Sequence, residues 1–259
     1  MSRKFFAILL FLFVIFVIAH SAKPYQTDAG EQNSKWSYSG KTGPEYWGNL
    51  DPSYRSCAKG LQQSPINIDK NEVIENSTLL DIQFHYFSTG FVAPDTKYTI
   101  ELTPEMKQNY IKIGEEKYLL KQIHFHQPSE HQIDLKKFPL EIHFVHQNLN
   151  GEIAVVGVFS DVGRLNPTME RVLNLIPSTK GEKRIEQLNI DALLPEEKTF
   201  YRYQGSFTIP PCTERVEWII FKTPIEMSTQ QFRSFSEKFP QANARPLQPI
   251  NKRKIYTTP

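Results

Sequence analysis

The sequence predicts a β-dominated mixed α/β fold, built as a single domain with short helices at its periphery. Three observations predict it. Segments rich in β-branched and aromatic residues recur along the chain, and helical patterning is confined to short stretches. No repeat, long linker or low-complexity tract divides the 259 residues.

The chain opens on a targeting signal. Arg3 and Lys4 precede an unbroken apolar run from Phe5 to Ala19, and Ala19-His20-Ser21-Ala22 places small residues where cleavage requires them. The run is short for a membrane span, so cleavage is expected, with an uncleaved anchor as the alternative. No cysteine follows closely, which argues against a lipid anchor. Residues 1–21 therefore read as a signal peptide and 22–259 as the folded domain of an exported protein, periplasmic or secreted. Its membrane contact would be limited to that signal.

Strands are expected at YTIEL (98–102), YIKIG (110–114), EIAVVGVF (152–159) and RVEWIIF (215–221), and helices at 167–176 and 228–239. Two more strands frame KQIHFHQPSEHQIDLKKFPLEIHFVHQN (121–148), which holds five of the seven histidines. Residues two apart share a strand face. Gln122, His124 and His126 thus point one way, as do Glu141, His143 and Val145. The proline-bearing polar stretch between them reads as a connecting loop.

If these strands pair antiparallel, His124, His126 and His143 converge on one face. Three neutral imidazoles suit Zn²⁺ and leave a fourth tetrahedral position open, as catalytic sites do. Gln122 and Glu141 each precede a ligand by two residues, positioned to take its second ring N–H. His146, three residues from His143, faces the other way, and His131 falls in the loop. Both read as polar residues satisfied by hydrogen bonds.

The formal net charge is +2, and basic residues are scattered apart from Asn251-Lys252-Arg253-Lys254. That balance gives no reason to expect nucleic acid or anionic lipid as a partner. Cys57 and Cys212 are the only cysteines. An even count in an oxidising compartment argues for one disulfide. Closing so long a loop would stabilise the fold by at most about 5 kcal/mol on the chain-entropy account.

Q-x-H-x-H, S-E-H and E-x-H-x-V-H, in this order and at these gaps, resemble the α-class carbonic anhydrases. WSYSGKTGPEYWG (36–48), QQSPINI (62–68), AVVGVF (154–159), GSFTIPPCTE (205–214) and NARPLQPINKR (243–253) are similar to further blocks of that family. The match spans essentially the whole exported domain. It implies the family fold, a large, twisted, mostly antiparallel sheet with helices outside, and a cysteine pair at the positions of Cys57 and Cys212.

The resemblance also implies zinc-dependent, reversible hydration of CO₂ to bicarbonate and a proton by zinc-bound hydroxide, with weak ester hydrolysis as a conceivable side reaction. Thr208 would orient the nucleophile and donate to buried Glu130, and the Asn243 carbonyl would take the free N–H of His126. Val145, Val155, Phe207 and Trp218 would line the CO₂ pocket. The position of the family's proton-shuttling histidine falls on Tyr98. A phenol, with an ordinary pKa of about 10, relays protons poorly at neutral pH. Phe207 and Ile209 flank Thr208 where many members carry a leucine and a second threonine. Oligomeric state stays open between monomer and dimer.

Two alternatives compete. His124, His126 and Glu130 also fit the H-x-H-x3-E ligand set of cupin-type metal enzymes, though the framing glycines and second histidine motif are missing. A carbonic-anhydrase-related binding module that has lost catalysis is the other. Such modules typically lack a zinc histidine, and here all three are present.

Overall fold

The computed structural model describes residues 35–175 and 181–258. The signal segment and the end of the 167–176 stretch lie outside them. In chain order the first strands are β1 (Asn67–Ile68), β2 (Ile74–Glu75), β3 (Ile82–His85), β4 (Thr89–Ala93), β5 (Glu101–Pro104), β6 (Tyr110–Ile113) and β7 (Glu116–His126). They are followed by β8 (Gln132–Ile133), β9 (Leu140–Gln147), β10 (Ile153–Val162), β11 (Lys183–Leu188), β12 (Phe200–Ser206), β13 (Glu214–Phe221), β14 (Ile225–Met227) and β15 (Tyr256–Thr257). The helices are short: α1 (Trp47–Leu50), α2 (Ser56–Lys59), α3 (Pro167–Leu173) and α4 (Thr229–Lys238).

Thirteen strands form one sheet in the order β11-β4-β5-β7-β9-β10-β13-β12-β15-β2, with β6 beside β7, β3 beside β6 and β14 beside β10. Parallel pairing is confined to β10 with β13 and β14, β15 with β2, and the separate β1–β8 pair, so the sheet is mostly antiparallel, as expected. β8 was not anticipated. It forms inside the expected loop, where Asn67 and Ile68 pair with Gln132 and Ile133.

The long central strands are buried on both faces, and their alternate residues feed two cores. Ile123, Phe125, Ile142, Phe144, Ala154 and Val156 join the larger cluster, which α3 and α4 cover through Met169, Val172, Phe232 and Phe235. Val145, Val155, Phe159, Tyr203 and Trp218 fill the opposite side. Both covering helices carry strong start signals. Asn166 accepts from the Thr168 and Met169 amides ahead of Pro167 at the first turn, and Ser228 and Gln231 form a reciprocal capping box.

One expected strand begins late. Tyr98, Thr99 and Ile100 precede β5 because Thr99 engages the neighbouring strand β7 through its side chain. Its Oγ1 accepts from the Phe125 amide at 3.0 Å and donates to the Phe125 carbonyl at 2.6 Å. Backbone pairing with β7 starts only at Glu101.

A third apolar cluster gathers Trp36, Trp47, Tyr54, Tyr98 and Ile209 around the Cys57–Cys212 disulfide, which is formed with its Cα atoms 5.0 Å apart. It fastens the N-terminal aromatic segment against the loop carrying Thr208.

Candidate metal centre

β7 and β9 pair antiparallel in the register that sets His124 opposite His143 and His126 opposite Glu141. The three imidazoles therefore share a face, with ring centroids 4.6 to 5.1 Å apart. One nitrogen from each lies within 4.8 Å of the others.

Each ring has its remaining nitrogen engaged by a different acceptor. His124 Nδ1 donates to Gln122 Oε1 at 2.9 Å, His126 Nδ1 to the Asn243 carbonyl at 2.7 Å, and His143 Nε2 to Glu141 Oε1 at 2.7 Å. His124 Nε2, His126 Nε2 and His143 Nδ1 are left to face one another, and His143 Nδ1 lies 3.2 Å from His124 Nε2. His126 Nε2 is buried without a hydrogen-bond partner. Burial, reinforced by the neighbouring rings, lowers the pKa of all three histidines, His126 to about 3. Three neutral rings with converging lone pairs are what a borderline-soft dication needs, so the residues fit zinc.

Glu141 is the best satisfied polar group in the site. Besides His143, its Oε1 accepts from His131 Nδ1 at 2.7 Å, and its Oε2 accepts from the amides of Glu130 and His131 at 2.9 and 2.8 Å. Burial works to raise its pKa, but His131 and His143 outweigh that and hold it well below the usual range. His131 continues the chain through Nε2 to the Tyr203 hydroxyl at 2.6 Å, which meets Ser64 Oγ at 2.7 Å. Sequence reasoning foresaw hydrogen bonds for His131 but not that it shares a carboxylate with a candidate ligand. Its place beside Glu130 in the S-E-H motif was the available signal. Gly157 stands opposite His143 on β10, where an added Cβ would lie 2.6 Å from Ile220 Cδ1 and 3.2 Å from Glu141 Oε1.

His146 faces away from the metal candidates, buried in the larger core with Nε2 2.8 Å from the Tyr86 hydroxyl. Glu130 is buried, and its Oε1 accepts from the Arg245 amide at 2.9 Å. Burial pushes its carboxyl well above the usual range, while the Arg245 amide and the Thr208 hydroxyl act to lower it. Arg245, which sequence reasoning did not single out, donates from its guanidinium to Gln63 Oε1 and to the carbonyls of Ser64 and Cys57. Gln63 in turn donates to the Cys212 carbonyl. The disulfide and the Glu130 carboxylate thus meet in one buried polar network.

Val145, Val155 and Trp218 pack together, with Phe207 partly buried against them. Trp218 also lies edge-on to His143 at 4.9 Å. Tyr98 is only 6 % exposed, stacked on Trp36 at 5.8 Å and edge-on to Tyr38 at 5.3 Å.

A family model described as eukaryotic-type carbonic anhydrase matches residues 42–259. A carbonic anhydrase from Nostoc sp. is 40% identical over 225 residues, 85% of this chain and 84% of that one. The solved α-carbonic anhydrase of Thermovibrio ammonificans, in complex with the inhibitor sulfanilamide, superimposes with a TM-score of 0.81 at 40% identity, covering 85% of this chain and 98% of that one. Dioscorin complexed with ascorbate has a TM-score of 0.81 at 32% identity, covering 87% and 98%. The chain belongs to the eukaryotic-type, or α-class, carbonic anhydrases, a family of enzymes whose general reaction is CO₂ hydration. That membership sets the cupin alternative aside.

Proposed function

We propose that this chain is an exported zinc enzyme that reversibly hydrates CO₂ to bicarbonate and a proton, with residues 22–259 as its catalytic domain and 1–21 as its signal. One observation carries the zinc reading. Of the six ring nitrogens on His124, His126 and His143, three are tied to Gln122, Asn243 and Glu141, and the other three converge. His124 Nε2, His126 Nε2 and His143 Nδ1 would hold the ion. When bound, zinc acidifies a water so that hydroxide is available near neutral pH, an effect for which carbonic anhydrases are the standing example.

The chain's own residues do the rest. Gln122, Asn243 and Glu141 fix the ring tautomers and so keep the ligating lone pairs aimed. The Thr208 hydroxyl favours the ionised form of Glu130, as a donor to a carboxylate does. Its lone pairs then remain to accept a hydrogen bond from the nucleophile and orient it. Val145, Val155, Phe207 and Trp218 offer apolar CO₂ a wall without competing hydrogen bonds. Tyr98 occupies the shuttle position, and its burial supports the reading that the released proton leaves through buffer.

Stopped-flow CO₂ hydration tests this directly. Turnover should be measurable and blocked by a sulfonamide such as sulfanilamide. A second reading, an ascorbate-binding protein without turnover, is favoured only by the likeness to dioscorin, which was solved with ascorbate. Ascorbate binding without hydration would select it.

A further inference from the structure

Glu101 on β5 is the cross-strand partner of His124. The β5–β7 register sets the two residues directly opposite each other, so their side chains leave the sheet on the same face. Gln122 shares that face, two residues before His124 on β7. Glu101 is largely removed from solvent, and its Oε2 is buried without a hydrogen-bond partner. A buried carboxylate oxygen in that condition is costly. An apolar residue would serve packing better.

We propose that Glu101 is a positioning residue that sets the direction of the Gln122 amide and, through it, the tautomer of His124. The inference rests on the zinc reading above.

Donors and acceptors decide which way the amide faces. Gln122 offers two chemically different ends, a carbonyl oxygen that only accepts and an NH₂ that only donates. Glu101 and Gln122 are diagonal neighbours on that sheet face, close enough for two long side chains to meet. Burial raises the Glu101 pKa and the Gln122 side chain acts to lower it, which only its NH₂ end can do. With the NH₂ turned to Glu101, Oε1 is turned to His124 Nδ1, 2.9 Å away. His124 must then carry its proton on Nδ1 and present an unprotonated Nε2 to the other two rings. The reversed amide would set an oxygen against a carboxylate and an N–H against Nδ1. It would select the tautomer with a proton on Nε2, which cannot ligate. A carboxylate cannot reverse its own role, because ionised it only accepts. A glutamine at position 101 could present either end.

The test uses zinc-loaded protein, comparing the native chain with Glu101→Gln, Gln122→Ala and the double variant. Two quantities are read: the rate of zinc release to a chelator, and the exchange broadening of the His124 Nδ1–H proton in NMR spectra. Glu101→Gln should release zinc about 3- to 10-fold faster, less than the effect of a direct partner of a ligand, and should broaden the Nδ1–H signal. In the Gln122→Ala background the same change should add less than about 2-fold, because the coupling runs through Gln122. Unchanged release and an unchanged signal in Glu101→Gln would overturn the proposal. So would effects that multiply independently in the double variant. If native protein takes up no zinc, the zinc reading itself has failed, a result separable from the other two.

Discussion

His124 and His143 stand directly opposite each other across the β7–β9 ladder, with His143 Nδ1 3.2 Å from His124 Nε2. The two rings thus offer different nitrogens to the same point. The difference follows from their acceptors. Gln122 accepts from the Nδ1–H of His124, whereas Glu141 accepts from the Nε2–H of His143. The site's geometry is therefore written largely in residues that do not themselves converge on it.

Glu141→Ala should weaken zinc affinity by ~10–100-fold. It should also destabilise the metal-free protein by about 3 kcal/mol or more, since four N–H donors lose one buried acceptor. Chelator competition and denaturant melts read the two effects separately. A variant with native zinc affinity would show that Glu141 serves only the fold.

Thr208→Ala should lower the hydration rate by about 10²-fold while zinc stays bound, the scale of losing one donor or acceptor that orients the transition state. Thr208→Ser, which keeps the hydroxyl, should recover most of that loss. If Thr208→Ala hydrates CO₂ at the native rate, Thr208 is merely part of the loop that Cys212 tethers.

Burial lowers the pKa of His146 to about 3, against an ordinary value of 6.5. The unfolded chain binds a proton there that the folded chain refuses, so this group's contribution to stability falls as pH drops from about 6.5 toward 3. One such proton corresponds to about 1.4 kcal/mol per pH unit within that window. His146→Gln should flatten the pH dependence of unfolding by about one proton near pH 5. An unchanged slope would mean that His146 does not resist protonation.

Proton release should limit turnover in weak buffer. Tyr98 lies under Trp36 and Tyr38, and His85 stacks on Tyr110 at 4.5 Å on β3, which reaches β7 only through β6. Maximal kcat should rise steeply with added imidazole-type buffer, while kcat/KM, which reports the hydration step, stays flat. A kcat independent of buffer would mean that an internal route already carries the proton.

The sheet and the three histidines were legible because both depend on period-two alternation. β7 and β9 bury both faces, yet polar candidate ligands and apolar core residues still alternate along them. The late start of β5 was hidden, because a threonine that pairs through its hydroxyl has the same β-propensity as one that pairs through its backbone. β8 was hidden for a related reason. Two residues paired with distant Asn67 and Ile68 carry no local pattern. His131 and Arg245 could be placed only by tertiary contact. Nothing in the spacing says that one Glu141 oxygen serves both His131 and His143, or that the Arg245 amide meets Glu130.

The most direct measurement strips the protein with a chelator, returns zinc in steps and follows CO₂ hydration by stopped flow on the same preparation, beside His143→Ala. The rate should rise with added zinc and level off at about one ion per chain, as a three-histidine site with one open position requires. His143→Ala should show neither tight zinc uptake nor appreciable turnover. Full hydration by the stripped protein, or native zinc content and turnover in His143→Ala, would contradict the account.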